Sequence, residues 1–383
     1  MNKLIGQGAF GCTYYPGFTC NAKTSKNKNL VSKLNVDDND SKNEIKTGKI
    51  VMKIKNYRQF FSPIVKACPV NLNAIDKKNI GECDVVDKHS DSKFILSYNR
   101  YINGSHLDKY IDGFKKDLFV IAMINTYYYL INSLQILNKN DIIHFDIKGD
   151  NILHDSVPII IDFGLSIKIS DITVSNLLGL REYFYIYATD YDIWCPEIHF
   201  ISYIVLSNVS DDSLFNLDTL KIVLNDIVND NRILTFFSNE FKILYRKSLY
   251  NFMKQFINKS NIFVIRELIK YNNTWDMYSL SVLYLKVIYK RERDYGERDR
   301  DHDSTNKSIS NILSQLFLLN INPDPRKRLS FEATKKLLYR LFAFREDHDL
   351  NSLGNLNNDI EFTLNSNQEI EFKSRILPYL NIF

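Results

Sequence analysis

In the stretch DIIHFDIKGDNILHDSVPIIIDFGL, residues 141–165, a carboxylate, an ammonium and an amide follow one another at Asp146, Lys148 and Asn151. A second carboxylate, Asp162, opens an Asp-Phe-Gly triplet after a run of isoleucines. Any one of these carboxylates, in a chain this rich in aspartate, reads as an ordinary solvated loop residue; order and spacing set the group apart. Near the N-terminus, Gly6-Gln-Gly8-Ala-Phe10-Gly11 lies between two short strand-like runs. Glycines at this spacing let a backbone turn without Cβ interference and offer its N–H groups to phosphate oxygens. Transfer of a phosphoryl group asks a protein for positioning and charge neutralisation more than for covalent chemistry, and these residue types supply both.

Taken together, H-x-D-x-K-x-x-N at 144–151, D-F-G at 162–164 and G-x-G-x-F-G at 6–11 resemble the eukaryotic-type protein kinases. The resemblance implies that Asp146 accepts the proton of a substrate hydroxyl and that Lys148 places positive charge beside the transferred group. It implies magnesium, with manganese as a possible substitute, on Asn151 and Asp162. ATP would lie against Ile5, Gly6, Gly8, Phe10, Gly11, Thr13 and Leu153, with Thr13 standing where the family usually carries valine. Lys148 resembles the serine/threonine class, so the implied partner is a protein with Ser or Thr acceptors. The glycine-rich start, with Cys20 soon after it, is similar to divergent kinases of large DNA viruses, which implies a host-cytoplasm or virion setting.

The family also needs a lysine on its third strand, paired with a glutamate from the next helix. Two lysines compete. Leu30-Val31-Ser32-Lys33 is followed by a helix-like stretch opening at Ser41 and carrying Glu44. Ile50-Val51-Met52-Lys53 is followed by Pro63 and Pro69, and its next glutamate is Glu82. A helix-borne partner is available only to Lys33, and we prefer Lys33 with Glu44. Ser41-x-x-Glu44 also reads as a capping box that would tie Glu44 to the helix N-terminus, and Gly48 weakens such a helix by about 1 kcal/mol against alanine.

The elements that would carry these groups follow from periodicity. Phe94–Tyr98 is a strand, residues 71–93 read as a polar loop, and Asp117–Lys139 is a long buried helix with Leu118, Ile121, Ile124, Tyr128, Ile131, Leu134 and Leu137 inward. Trp194-Cys-Pro-Glu197, Asp276 and Asn322-Pro-Asp-Pro-Arg-Lys-Arg328 stand for three scaffold motifs of the family. They imply a buried Glu197–Arg328 bridge and Asp276 bound to the catalytic-loop backbone, a circuit that small-molecule phosphotransferases generally lack. Phe145 occupies a position where many regulated kinases carry an arginine for an activation-loop phosphate. Activity is therefore expected not to depend on such a phosphate. The long interval from Glu197 to Asp276 reads as an inserted helical pair, about 200–270, and residues 290–303 as a charged, solvated loop.

The implied architecture is α+β: a bilobal protein-kinase-like fold over 1–344, with a small β-rich lobe (about 1–103) and a larger helical lobe (about 104–344). A tail of unreadable role, 345–383, follows. The length of 383 residues and an apolar fraction of 45% suffice for such a core. A net charge of +4, mixed in sign, gives no reason for a nucleic-acid or anionic-membrane partner. Five scattered cysteines read as free thiols, and with no membrane-spanning run the expectation is an intracellular, cytoplasmic protein. The alternative from a different class is a pseudokinase that presents the fold as a scaffold; oligomeric state is not readable.

Overall fold

The structure, a computed structural model of the chain, describes residues 2–8, 11–81, 83–89, 92–207, 209–295 and 313–346. It is α+β, sheet-rich toward the N-terminus and helical toward the C-terminus, an arrangement compatible with a bilobal fold. Two compact units divide it. The first comprises 1–107 and 149–168, and the second comprises 108–148 and 169 onward. Segment 149–168, expected with the helical part, thus belongs to the sheet-rich unit.

The first unit is built on an antiparallel sheet of β1 (Lys3–Gln7), β2 (Gly11–Tyr15), β3 (Leu30–Val36), β5 (Lys66–Val70) and β6 (Phe94–Arg100), in the order β1-β2-β3-β6-β5. Strand alternation sends Cys12, Tyr14, Leu34, Leu96 and Tyr98 into one apolar cluster with Phe18, Ile75, Ile80 and Val85. The last three come from the stretch expected to be a loop, which instead forms the short helices α2 (Lys77–Ile80) and α3 (Asp84–Lys88) and covers the sheet. Gly11 permits the close approach of β2 to β3, since a Cβ there would lie 2.7 Å from the Leu34 carbonyl oxygen. A smaller sheet joins β4 (Phe61–Ser62), β7 (Ser105–His106), β8 (Ile152–Asp155) and β9 (Val157–Ile161) in the order β4-β9-β8-β7.

The expectation of five free thiols is overturned. Cys12 is disulfide-bonded to Cys83 and Cys20 to Cys68, leaving Cys195 as the free, buried thiol. The partners are 71 and 48 residues apart in sequence but have Cα atoms 6.1 and 6.0 Å apart. Pairing depends on that spatial approach, which scattered spacing does not reveal.

Helix α1 (Asn39–Val51) starts earlier than its apolar pattern suggests because its N-cap is Asp38. The Asp38 side chain accepts from the Ser41 N–H, and Ser41 Oγ accepts from the Asp38 N–H. This reciprocal cap stands in place of the alternative Ser41–Glu44 one, so the Glu44 carboxylate is not spent on the helix end and meets Lys33 as preferred. Gly48 has a packing reason to be glycine: a Cβ there would lie 2.8 Å from the Ile64 carbonyl oxygen. Gly48→Ala is expected to destabilise the first unit by about 1–3 kcal/mol, the overpacking cost, despite alanine's better helix propensity. Thermal unfolding checks the sign, because propensity alone predicts the opposite shift.

The second unit contains α4 (Leu107–Asp112, beginning at the boundary), α5 (Lys116–Lys139), α6 (Leu177–Leu180), α7 (Pro196–Leu206), α8 (Leu217–Asp230), α9 (Asn239–Met253), α10 (Asn261–Ile269), α11 (Trp275–Tyr295), α12 (313–320) and α13 (Phe331–Glu346). Its core runs between α5 and α11, where the hydroxyl groups of buried Tyr127 and Ser281 are 2.8 Å apart and Tyr284 donates to Thr126. The inward face of α5 holds Ile124, Ile131, Leu134 and Leu137 as expected, together with Tyr127 and Leu130, whereas Leu118 is 58% exposed and Tyr128 37%. Residues 290–295 prolong α11 rather than forming a loop, and the rest of the charged run lies outside the described residues, as does the tail from 347 onward. Three helices, α8 to α10, fill the interval expected to hold a pair; Leu220, Val223, Leu224 and Ile227 are the buried face of α8, while Leu214 and Leu217 are exposed. No helix among the described residues is long and apolar enough to cross a membrane.

Candidate active site

In the first unit, antiparallel pairing places Lys33 on β3 opposite Thr13 on β2 and Ser97 on β6. Its ammonium lies 3.2 Å from Glu44 Oε2 on α1 and 3.1 Å from Asp162 Oδ2. Asn43, next to Glu44, donates from Nδ2 to the carbonyls of Gly164 and Ser166 at 2.8 and 2.9 Å, which ties α1 to the segment carrying Asp162. Of the competing lysines, Lys33 alone meets a helix glutamate; Lys53 is exposed on the turn after α1.

Burial alone would push the Lys33 ammonium down, but the Glu44 and Asp162 carboxylates outweigh it and its pKa is raised. Burial acts the other way on Glu44, lifting its pKa to about 7 against the pull of Lys33.

Asp162 and Asn151 lie at one end of the β8–β9 hairpin, because Ile152 is the register partner of Ile160. Asp162 holds a left-handed backbone, φ 61°, a conformation that costs an aspartate about 1–3 kcal/mol and is typical of functional positions. Both side chains carry oxygen donors of the kind Mg2+ takes, and Mg2+ held together with phosphate oxygens needs only one or two protein carboxylates. Among the described residues no group of three or more His, Cys, Asp or Glu is gathered in a metal-binding set. In the β1–β2 hairpin Gly8 N–H donates to the Gly11 carbonyl at 3.0 Å, and a Cβ on Gly8 would meet nothing within 4 Å. The space above Gly8 is therefore left open by choice of residue, whereas Gly11 is needed for packing. Ile5 is on β1 and 46% exposed, Gly6 pairs with Thr13, and Leu153 sits in the smaller sheet opposite Ile159. Phe10 lies outside the described residues.

In the second unit Asp146 and Lys148 meet directly, with Lys148 Nζ 2.9 Å from Asp146 Oδ2. A residue absent from the sequence reading completes the group: Tyr191 donates its phenol to Asp146 Oδ1, and Lys148 Nζ donates to the phenol oxygen at 3.1 Å. Nothing in local pattern marks Tyr191, which stands in the irregular segment before α7. The backbone that presents Asp146 is held from below by Asp276, whose two carboxylate oxygens accept from the N–H groups of His144 and Phe145 at 2.8 and 2.9 Å. Burial raises the pKa of Asp276, and those two donors oppose the rise. Comparison with known proteins adds no identity: no protein-family model matches the chain, and no curated protein matches it.

The scaffold circuit is assembled as the motifs imply. Glu197 and Arg328 form a two-pronged pair at 2.8 and 2.7 Å, each side chain 1% exposed, with Arg328 also donating to Thr274 and to the Asn322 carbonyl.

Phe145 sits at φ 69°, an outlier for a bulky residue. Its ring packs against Trp194 at 5.1 Å, Trp275 at 5.9 Å and Phe184 at 6.1 Å, and its carbonyl accepts from Trp194 Nε1 at 2.8 Å. Aromatic packing thus ties residue 145 to the segment containing Phe184 and Trp194.

Proposed function

We propose that the protein is an ATP- and magnesium-dependent protein serine/threonine kinase with a protein-kinase-like bilobal fold. The observation that carries the reading is the Lys33 ammonium held between Glu44 and Asp162, which is the pairing the motifs require of a strand-three lysine. Asp146 and Asn151 belong to one motif at 144–151, and we read them as serving one reaction. Asp146 accepts the proton of the Ser or Thr hydroxyl as that oxygen attacks the terminal phosphorus. Lys148 sits beside it as a fixed positive charge, and Lys33 supplies the charge that holds phosphate oxygens. Bound Mg2+, held through Asn151 and Asp162, would neutralise charge on the leaving phosphates. The Glu197–Arg328 and Asp276 circuit favours a protein acceptor over a small molecule.

One observation favours a phosphotransfer-silent scaffold instead: both oxygens of Asp146 already have partners, Tyr191 and Lys148. Each carboxylate oxygen has a second lone pair, however, so a substrate hydroxyl can still be accepted. Incubating the protein with ATP, Mg2+ and a basic protein substrate decides between them. Phosphate on Ser or Thr supports the kinase; no transfer with either Mg2+ or Mn2+, together with no nucleotide-induced thermal shift, supports the scaffold.

A further inference from the structure

Tyr191 reaches Asp146 from the segment 187–192, and what holds that segment is the interval between Glu197 and Asp276. Three hydroxyl groups two residues apart each donate to a carboxylate. Tyr187 donates to Asp226 Oδ2 at 2.6 Å, Thr189 to Asp230 Oδ2 at 2.9 Å, and Tyr191 to Asp146 Oδ1. Asp226 and Asp230 are four residues apart on α8 and so lie on one face of that helix. Thr189 is 6% exposed, so its bond is shielded from water, while the ring of Tyr187 packs edge-on against Tyr203 of α7. Arg232, just past α8, adds an exposed contact to Asp190 that is worth little in water. Helix α8 and the turn after it are braced: Asn225 of α8 accepts from Arg246 of α9, and Phe236 of the turn stacks on Tyr289 of α11 at 3.9 Å.

We infer that α8 is a positioning element for the reaction, with Asp226 and Asp230 holding 187–189 so that the Tyr191 phenol stays fixed against Asp146 and Lys148. This rests on the kinase reading proposed above. Its physical content is that Tyr191 orients the carboxylate that takes the acceptor proton, and that α8 supplies the rigidity an unpaired loop lacks. A phosphate placed on Tyr187 or Thr189 would face Asp226 or Asp230 and be repelled, so the clamp works with unmodified hydroxyls.

The test compares Asp226→Ala/Asp230→Ala with Asp226→Asn/Asp230→Asn, whose amide oxygens still accept from Tyr187 and Thr189. The alanine pair is expected to lose roughly 10- to 100-fold in kcat with KM for ATP unchanged, and to gain a chymotryptic cut at Tyr185 or Tyr187. The asparagine pair is expected to keep most of the parent turnover and resist the cut. Parent-like kcat in the alanine pair, or an equal loss in both pairs, overturns the inference. Where the alanine pair does not fold, Tyr187→Phe/Thr189→Val removes the donors instead and is read the same way. Absence of phosphotransfer in the parent chain overturns the kinase reading separately; the proteolysis comparison then still decides whether α8 clamps the segment.

Discussion

Asp146→Asn is expected to lower kcat for phosphotransfer by about 10²–10⁴-fold, the range for removing a general base, while KM for ATP and the thermal midpoint stay near the parent values. The reason is local. Asparagine keeps the size of the side chain and an oxygen to accept from Tyr191, so the backbone held by Asp276 is undisturbed. What disappears is the capacity to take a proton. Steady-state kinetics with a protein substrate check it, and undiminished kcat would remove Asp146 from the chemistry. Paired lysine variants place the other half of the reading under the same assay. Lys33→Met takes the cation from between two carboxylates and should cost about 10²–10³-fold, whereas Lys53→Met changes an exposed turn residue and should cost nothing measurable.

Breaking the Glu197–Arg328 pair is expected to produce the largest loss of stability. Each partner is almost fully buried, and removing one leaves the other charge unpaired, which costs about 3–5 kcal/mol. Arg328→Met should therefore lower the thermal midpoint by roughly 10 °C, using 2–4 °C per kcal/mol for a unit of this size. Burial works against the Arg328 guanidinium, but the Glu197 carboxylate holds its pKa above the usual range, so Arg328 stays charged in the parent protein. The double change Glu197→Met/Arg328→Leu should recover much of the loss, because no charge is then stranded in the interior. Differential scanning calorimetry of the three proteins distinguishes this account from simple loss of side-chain volume, which would make the double variant the worst.

Several features are legible from residue order because they depend on chain-local chemistry. Asp146, Lys148, Asn151 and Asp162 are recognisable by spacing, and hydrophobic periodicity forecasts α5 and β6 within a few residues. The choice of Lys33 over Lys53 was approachable too, since only one of them precedes a helix bearing a glutamate. Local pattern leaves the cap of α1 open, because Asp38 and Ser41 both suit that helix end and a shift of three residues decides whether Glu44 is spent there or is available to Lys33. Within the tyrosine run of α5, hydropathy does not separate Tyr127 from Tyr128 and Tyr129, and the hydroxyl partners Ser281 and Asn320 select Tyr127 for the interior.

By itself the sequence determined which residue types are present at motif spacing and an α+β element order, both properties of neighbours along the chain. The tertiary structure alone decided that Cys12 meets Cys83 and Cys20 meets Cys68, that Gly48 is pressed against Ile64, and that Tyr191 touches Asp146 while α8 holds its neighbours. Those contacts join residues tens of positions apart through side-chain reach and close approach, and neither distance nor direction in space is encoded in a local pattern.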